Sequence, residues 1–344
     1  MRIFKKSLPK NRKLSRKILP WLRNQFPERH GLRITRLEKL ADGWESDNHL
    51  LEVIYGEGQQ AQWVWRVYTG SGDAHKAAVE FESMRKLKAA GYPVPQVHLL
   101  AVEDPPLGRP FIIMDYIPGQ VLWPMLKHSN QTESRVLFER FSQLFVQLHQ
   151  LDWRLFDESI PKDEPFFLID RWLEGAKAAL RQFSGMDASS LFDWASERRD
   201  LFACLHPAPI HQDFHPANVI VKPDGGMVVI DWTNFTVSDA RIDLAWTLVL
   251  GNAYGGMELR EQILQGYQQA LGKPVENIEV FEVLACARRL FDLTISLTRD
   301  PKLLGMNAAS AEAMRADMEP HRNVYRRFVE LSGLHMDAFA SLFG

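Results

Sequence analysis

With 344 residues the chain is long enough for two lobes with separate cores, and its 46% hydrophobic and 24% charged residues are those of an ordinary soluble globular protein. A formal charge of -2 excludes the basic field with which a whole domain binds nucleic acid. Two cysteines, Cys204 and Cys286, exclude a disulfide framework and favour a reducing, cytoplasmic setting.

Residues 1–32 read as a basic arm, in which Arg2, Lys5, Lys6, Lys10, Arg12, Lys13, Arg16, Lys17 and Arg23 face almost no acids. No apolar core of a secretory signal follows them, and no stretch approaches the ~20 apolar residues of a membrane span. Leu14, Ile18, Leu19, Trp21 and Leu22 fit one amphipathic helix, broken by Pro20, that would touch an anionic surface. The preferred expectation is a solvated or partly disordered arm.

Alternating, β-rich runs follow at Ile34–Leu40, His49–Tyr55 and Trp63–Tyr68, punctuated by Asp42-Gly43 and Gly56-Glu57-Gly58, which predicts an antiparallel meander. Asp73–Ala90 reads as a helix with Ala77, Phe81, Met84 and Leu87 on its apolar face and Gly91 as its stop. Further strands are expected at Gln96–Val102 and Pro110–Ile117. Helices are expected at Thr132–Leu151, Leu168–Phe183 and Ser190–Leu205, and further on around Ile263–Leu271, Ile278–Leu297 and Ala311–Leu331; His149 at the end of the first is expected to find its partner locally.

The stretch His211–Trp232 reads HQDFHPANVIVKPDGGMVVIDW. Two β-branched runs flank Lys222-Pro223-Asp224-Gly225-Gly226, a hairpin signal. At the open end of such a hairpin Asn218 lies beside Asp231, and Asp213 precedes Asn218 in a short loop. Two carboxylates and an amide oxygen without a thiolate suit Mg²⁺. A competing reading takes His211, Asp213 and His215 as a transition-metal site on one face of an extended segment, which leaves Asn218 and Asp231 idle.

The string H-x-D-x-H-P-x-N followed by a hairpin and I-D-W resembles the signature of the aminoglycoside phosphotransferase and choline kinase family, from about Leu40 to Leu248. The resemblance implies an α+β, bilobal protein-kinase-like fold. Residues 33–117 would form a nucleotide-binding N-lobe, a small antiparallel β-sheet with one helix, and residues 118–344 a larger, mainly helical C-lobe with the catalytic loop and acceptor site. It makes Asp213 the catalytic base, and Asn218 and Asp231 the Mg²⁺ ligands. An ion pair of Arg66 with Glu80 would stand in for the kinase Lys–Glu pair, with Glu82 as the competing acid. Ser46 and Asn48, after the turn at Asp42-Gly43, would donate to phosphate oxygens. Met114, Asp115, Tyr116 and Ile117 would be the hinge that binds the base of ATP or GTP through backbone groups. His211 and His215 would brace the loop, as would Asp243, which opens a helix in Ser238-Asp239-Ala240-Arg241-Ile242-Asp243-Leu244-Ala245. This segment departs from the family's G-D-P-x-x-D-L-A at Ser238 and Ala240, and Gln212 stands where relatives often carry Gly.

The expected reaction is transfer of a γ-phosphoryl group to a hydroxyl of a small molecule, an aminoglycoside-like compound, an amino alcohol or a sugar. Glu258, Glu261, Glu276, Glu279 and Asp292 could wall a cationic acceptor, and Trp123, Trp172, Trp246 and Tyr254 could stack on one. Solvated helix faces and core aromatics give the same pattern. A protein kinase would need an A-P-E-like end to an activation segment, which is not recognisable between Asp231 and Asp243. A non-catalytic nucleotide-binding module is the other alternative.

Overall fold

The computed structural model describes residues 12–40, 46–68, 73–103, 105–183, 186–299, 312 and 314–344. It divides into two compact units, residues 1–119 with 228–233, and residues 120–227 with 234–344.

In the first unit the predicted meander is present as β1 (Arg33–Lys39), β2 (Ser46–Tyr55) and β3 (Gln59–Tyr68). With β4 (Val97–Ala101) and β5 (Phe111–Asp115) they make a five-stranded antiparallel sheet in the order β1-β2-β3-β5-β4. The β2–β3 register runs from Ser46 opposite Tyr68 to Tyr55 opposite Gln59, closed by the turn at Gly56-Glu57-Gly58. Side chains alternate across a strand. Trp63, Trp65 and Val67 of β3 therefore share one core, and Arg66 and Tyr68 point to the other face.

What fills the first face corrects the expectation of a solvated arm. Residues Arg12–Gln25 form helix α1, which buries Ile18 and Leu22 completely among Leu37, Leu51, Trp63, Trp65 and Phe111, followed by Phe26 just beyond its end. Trp21 meets Phe111 edge-on at 5.2 Å, and Phe26 stacks on Trp63 at 5.1 Å. The sheet offered an apolar face larger than its own strands could cover, and the amphipathic helix is its lid. Pro20 does not break the helix; it sits on the exposed side.

Helix α2 (Asp73–Ala89) ends where expected, with Gly91 at φ +80 and the Tyr92 N–H donating to the Leu87 carbonyl at 2.9 Å. Its buried stripe is Ala77, Glu80, Ser83, Met84 and Leu87, so a carboxylate occupies the inward position expected of Phe81.

The second unit is mainly helical. β6 (Gln120–Val121) pairs with β8 (Val219–Val221), and β7 (Ala208–Ile210) pairs with β10 (Thr236–Ser238). Its helices are α3 (Leu122–His128), α4 (Gln131–His149), α5 (Phe167–Phe183), α6 (Ser189–Glu197), α7 (Ala240–Leu271), α8 (Ile278–Thr298), α9 (Glu319–Ser332) and α10 (Asp337–Phe343). The turn between β8 and β9 (Met227–Val229) is closed by the Lys222 N–H on the Gly226 carbonyl at 2.8 Å. Helix α4 starts on a capping box, in which Asn130 and Glu133 each accept the other's backbone N–H. α6 stops at Glu197 rather than Leu205, and a 3-10 turn over Arg199–Phe202 follows that buries Phe202 and leaves Leu201 exposed. The helix expected over Ala311–Leu331 is interrupted before Pro320, which opens α9.

Phe145 of α4 stacks on Phe214 at 4.0 Å, with Phe141 and Tyr267 against them, so the core of this unit reaches directly under residues 211–218. Glu282 of α8, wholly buried, is paired with Arg260 of α7 and with Arg327 of α9, and the three charges join these helices. Among the described residues no helix is long and apolar enough to cross a membrane.

Candidate active site

In the second unit the loop after β7 is held from below. Asp239 caps α7 by accepting the Arg241 N–H, so the helix begins at Ala240 and not at Asp243 as expected. Asp243 lies in its first turn, fully buried, where Oδ2 accepts the His211 N–H at 2.7 Å and Oδ1 the Gln212 N–H at 2.8 Å. His149 Nε2 stands 3.3 Å from the same carboxylate, and its Nδ1 meets the Tyr267 hydroxyl at 2.8 Å. The local partner expected for His149 is thus replaced by residues 94 and 118 positions away.

Gln212 has φ +63, a left-handed conformation that glycine adopts freely. The strained backbone is held by three bonds: Gln212 N–H to Asp243, Gln212 Nε2 to the Asn234 carbonyl at 3.0 Å, and Arg288 Nη1 to the Gln212 carbonyl at 3.3 Å.

Asp213 follows. Its Oδ1 accepts the Trp246 indole N–H at 2.8 Å, while Oδ2 lies 3.3 Å from Asn218 Nδ2 and 3.4 Å from His215 Nε2. Burial alone would raise the Asp213 pKa, but His215, Trp246 and His211 outweigh it and hold the carboxyl well below the usual carboxylate range. Asn218 Nδ2 also donates to the Asp213 carbonyl at 2.9 Å, so the amide nitrogen is fixed on the loop and the oxygen is the atom left to a ligand. His211 Nδ1 accepts the Asp213 N–H, and His215 Nδ1 accepts the Ala217 N–H, each at 3.2 Å. Both imidazoles brace their own loop, which removes the basis of the alternative His–Asp–His metal reading. Among the described residues no group of three His, Cys, Asp or Glu side chains is placed to hold a metal.

The first unit carries a second cluster, on the β3 face opposite α1. Arg66 Nη2 contacts Asp231 Oδ1 at 2.8 Å, and its Nε lies 3.2 Å from Glu80 Oε2, an ion pair without the alignment of a hydrogen bond. Tyr68 donates its hydroxyl to Glu80, whose other oxygen faces the Trp232 N–H at 3.3 Å. Burial opposes the Arg66 charge, and Asp231 and Glu80 more than reverse this, so its pKa is raised. Burial also raises the pKa of Glu80, against the pull of Arg66. The expected Arg66–Glu80 pair is present, while Glu82 is exposed and bound to Arg85. The contact of Arg66 with Asp231 was not foreseen. Asp231 has φ +69, and its Oδ1 also accepts the Thr233 hydroxyl at 3.2 Å.

Other expected positions divide. At the hinge, the Asp115 N–H is bound to the Gln96 carbonyl and the Tyr116 N–H to the Gln62 carbonyl, so of the three amides only Ile117 N–H has no partner among the described residues. Met114 is buried in β5 and Asp115 carries His98 at 2.7 Å. Ser46 is a buried strand residue opposite Tyr68, and the turn at Asp42-Gly43 lies outside the described residues. In the second unit Glu258, Glu276 and Glu279 are exposed, Asp292 is half-buried and Glu261 is tied to Arg260. Trp246 is buried at Asp213, Trp123 carries Lys127, and Tyr254 is exposed. Trp246 and Arg288 were not assigned to the loop from sequence; the only hint was an indole three residues after Asp243.

The family model described as phosphotransferase enzyme family matches residues 36–283. Acyl-CoA dehydrogenase family member 10 of Mus musculus is 27% identical over 186 residues, which cover 51% of this chain and 17% of that protein. A candidate aminoglycoside phosphotransferase from Ralstonia eutropha JMP134 superposes with a TM-score of 0.64 at 17% identity, covering 92% of this chain and 98% of the other. The ethanolamine kinase of Plasmodium vivax superposes at 0.56 and 14% identity, covering 90% and 83%. The GDP complex of aminoglycoside 2'-phosphotransferase-IIIa gives 0.56 at 16% identity, covering 93% and 98%. At these identities the structural likeness establishes the fold.

Proposed function

Since the chain belongs to the phosphotransferase enzyme family, we propose that it moves the γ-phosphoryl group of ATP or GTP to a hydroxyl of a small molecule in the cytoplasm. The observation that carries this reading is Asp213, a carboxylate kept ionised by its neighbours on a loop anchored through Asp243. In the transfer, the bond from the γ-phosphorus to the bridging oxygen breaks and a bond to the acceptor oxygen forms. The hydroxyl proton passes to Asp213, and the nucleoside diphosphate leaves. A carboxylate of such low basicity is a weak base. Its part is to orient the hydroxyl and to take the proton late, when the new P–O bond has made the oxygen acidic. Trp246 holds Oδ1, and Oδ2, which also accepts from Asn218 Nδ2, is the oxygen that would meet the acceptor hydroxyl.

Asn218 and Asp231 would hold Mg²⁺. The donor set fits: both offer hard oxygens without thiolates, the Asn218 amide nitrogen is already fixed on Asp213, and Asp231 is only partly buried. When bound, the ion neutralises phosphate charge. Arg66, kept in place by Glu80 and Tyr68, would meet the phosphates, and Ile117 N–H would meet the base.

A library of hydroxyl compounds incubated with nucleotide and Mg²⁺ should show one member gaining a single phosphoryl mass. Asp213→Asn should reduce that product at least ~100-fold while the unfolding transition is kept. Near-normal transfer by this variant would remove Asp213 from the mechanism.

A further inference from the structure

The acceptor's own charge can be read from α8. Arg288 lays its guanidinium over the Trp246 ring, 4.1 Å from the centroid, and Trp246 in turn donates to Asp213. One aromatic ring therefore separates a cation from the base. Of the guanidinium's five N–H groups, one is engaged, by the Gln212 carbonyl. Among the described residues no carboxylate pairs with it.

Its neighbour repeats the pattern. Arg289 is 8% exposed, its Nε is buried with no hydrogen-bond partner, and its one bond runs to the Tyr254 hydroxyl at 3.3 Å. Buried cations are ordinarily paired. Elsewhere in the same helix set this rule holds, since Arg260 pairs with Glu282 and Glu261, and Arg327 with Glu282 and Glu330.

Resting on the phosphotransferase reading above, we propose that the acceptor carries an anionic group, a carboxylate or a phosphate, beside the hydroxyl that is phosphorylated, and that Arg288 binds it. A guanidinium suits either anion, because its planar fork matches two oxygens at once. Stacking on Trp246 fixes the plane of that fork and leaves its edge to the ligand. Aminoglycosides and amino alcohols would bring a like charge to the same place.

The test is a matched panel of acceptors with nucleotide and Mg²⁺: hydroxy acids and their amides, sugar phosphates and their free sugars, amino alcohols and aminoglycosides. Transfer to acids or sugar phosphates, with the uncharged partners at least ~10-fold poorer in kcat/KM, supports the proposal, and which of the two series works identifies the anion. With the anionic acceptor, Arg288→Gln should raise KM at least ~10-fold while the KM for nucleotide stays within about threefold, and Arg288→Lys should recover part of the loss. A variant that loses activity equally towards an acid and its amide makes Arg288 a brace of the loop and overturns the proposal. So does a product formed from neutral or cationic acceptors alone. Product from no acceptor class at all would instead refute phosphoryl transfer itself, and this inference with it.

Discussion

Asp243→Asn isolates the anchor of the catalytic loop with the least change of shape. In the native chain each carboxylate oxygen accepts a backbone N–H, from His211 and from Gln212, with Oδ2 also facing His149 Nε2, and neither can be reached by water because Asp243 and His211 are wholly buried. An amide supplies one oxygen only; its NH₂ group must face a backbone donor. The loss is one hydrogen bond to a charged acceptor, about 1.5–3 kcal/mol, plus an orphaned buried N–H at about 1–3 kcal/mol, so destabilisation should be on the order of 3–5 kcal/mol. The strained Gln212 is released at the same time, and Asp213 moves with it. Urea unfolding followed by far-UV circular dichroism would give the first quantity, and steady-state transfer the second, expected to fall at least ~10-fold because a displacement of about 1 Å is enough to do so. A variant within 1 kcal/mol of the parent would refute the claim that these two bonds hold the loop.

Four further outcomes follow from the same structure. Leu22→Ala removes a wholly buried side chain between α1 and the sheet and should destabilise the first unit by about 2–5 kcal/mol in denaturant titration; a solvated arm would give none of this. Gln212→Gly relieves a left-handed residue worth about 1–2 kcal/mol but loses the bond to Asn234 and loosens the unfolded chain, so stability should stay within about 1 kcal/mol, whereas Gln212→Val should lose more. Because the folded Asp213 pKa lies below the unfolded value of about 4, its stabilising contribution is present above that pH and is lost only as pH falls through the folded value. The kcat profile should therefore show no acid limb from Asp213 above about pH 4, and Trp246→Phe should shift any such limb upward. Burial pushes the Cys204 thiol up to about 12 and raises Cys286 well above the ordinary thiol value, so neither should react with iodoacetamide at neutral pH until the chain unfolds, as mass spectrometry would report.

Local pattern was enough for much of the fold. The β2–β3 ribbon, α2 with its Gly91 stop, α4 and α8 are announced by period and by turn chemistry over a few residues, and they lie within a few positions of the expected ends. What was not legible depends on partners far away in sequence. An amphipathic helix over Arg12–Gln25 is visible, but whether its apolar side meets solvent or a sheet is decided by how much of that sheet is left uncovered. Phe81 looked like the inward residue of α2 because it is apolar. Glu80 takes the place because Arg66, Tyr68 and the Trp232 N–H make a buried carboxylate tolerable, and nothing within α2 announces them.

The same distinction runs through the site. A motif read along the chain reports residues that act through their own chemistry, and Asp213, Asn218 and Asp231 stand out for that reason. It names a few residues that hold them, Asp243 among these, but is silent about Trp246 and Arg288, because their hydrogen bonds have no fixed spacing from the loop they serve. His149 shows how this misleads: at the end of a helix the economical guess is a local partner, and only the fold brings Tyr267 and Asp243 to its two nitrogens. Strain gives a partial remedy. Gln212 and Asp231 both hold positive φ without being glycine, on either side of the candidate base and at the candidate metal ligand. Such backbone persists only where surrounding bonds over-determine it, and here those bonds come from Asp243, Asn234 and Arg288 in one unit and bear on Asp231 through Arg66 and Thr233 in the other. Asp243 and Arg66 are read from the motif, whereas Asn234, Thr233 and Arg288, the acceptor-binding cation proposed for α8, lie outside it and are the ones a motif search omits.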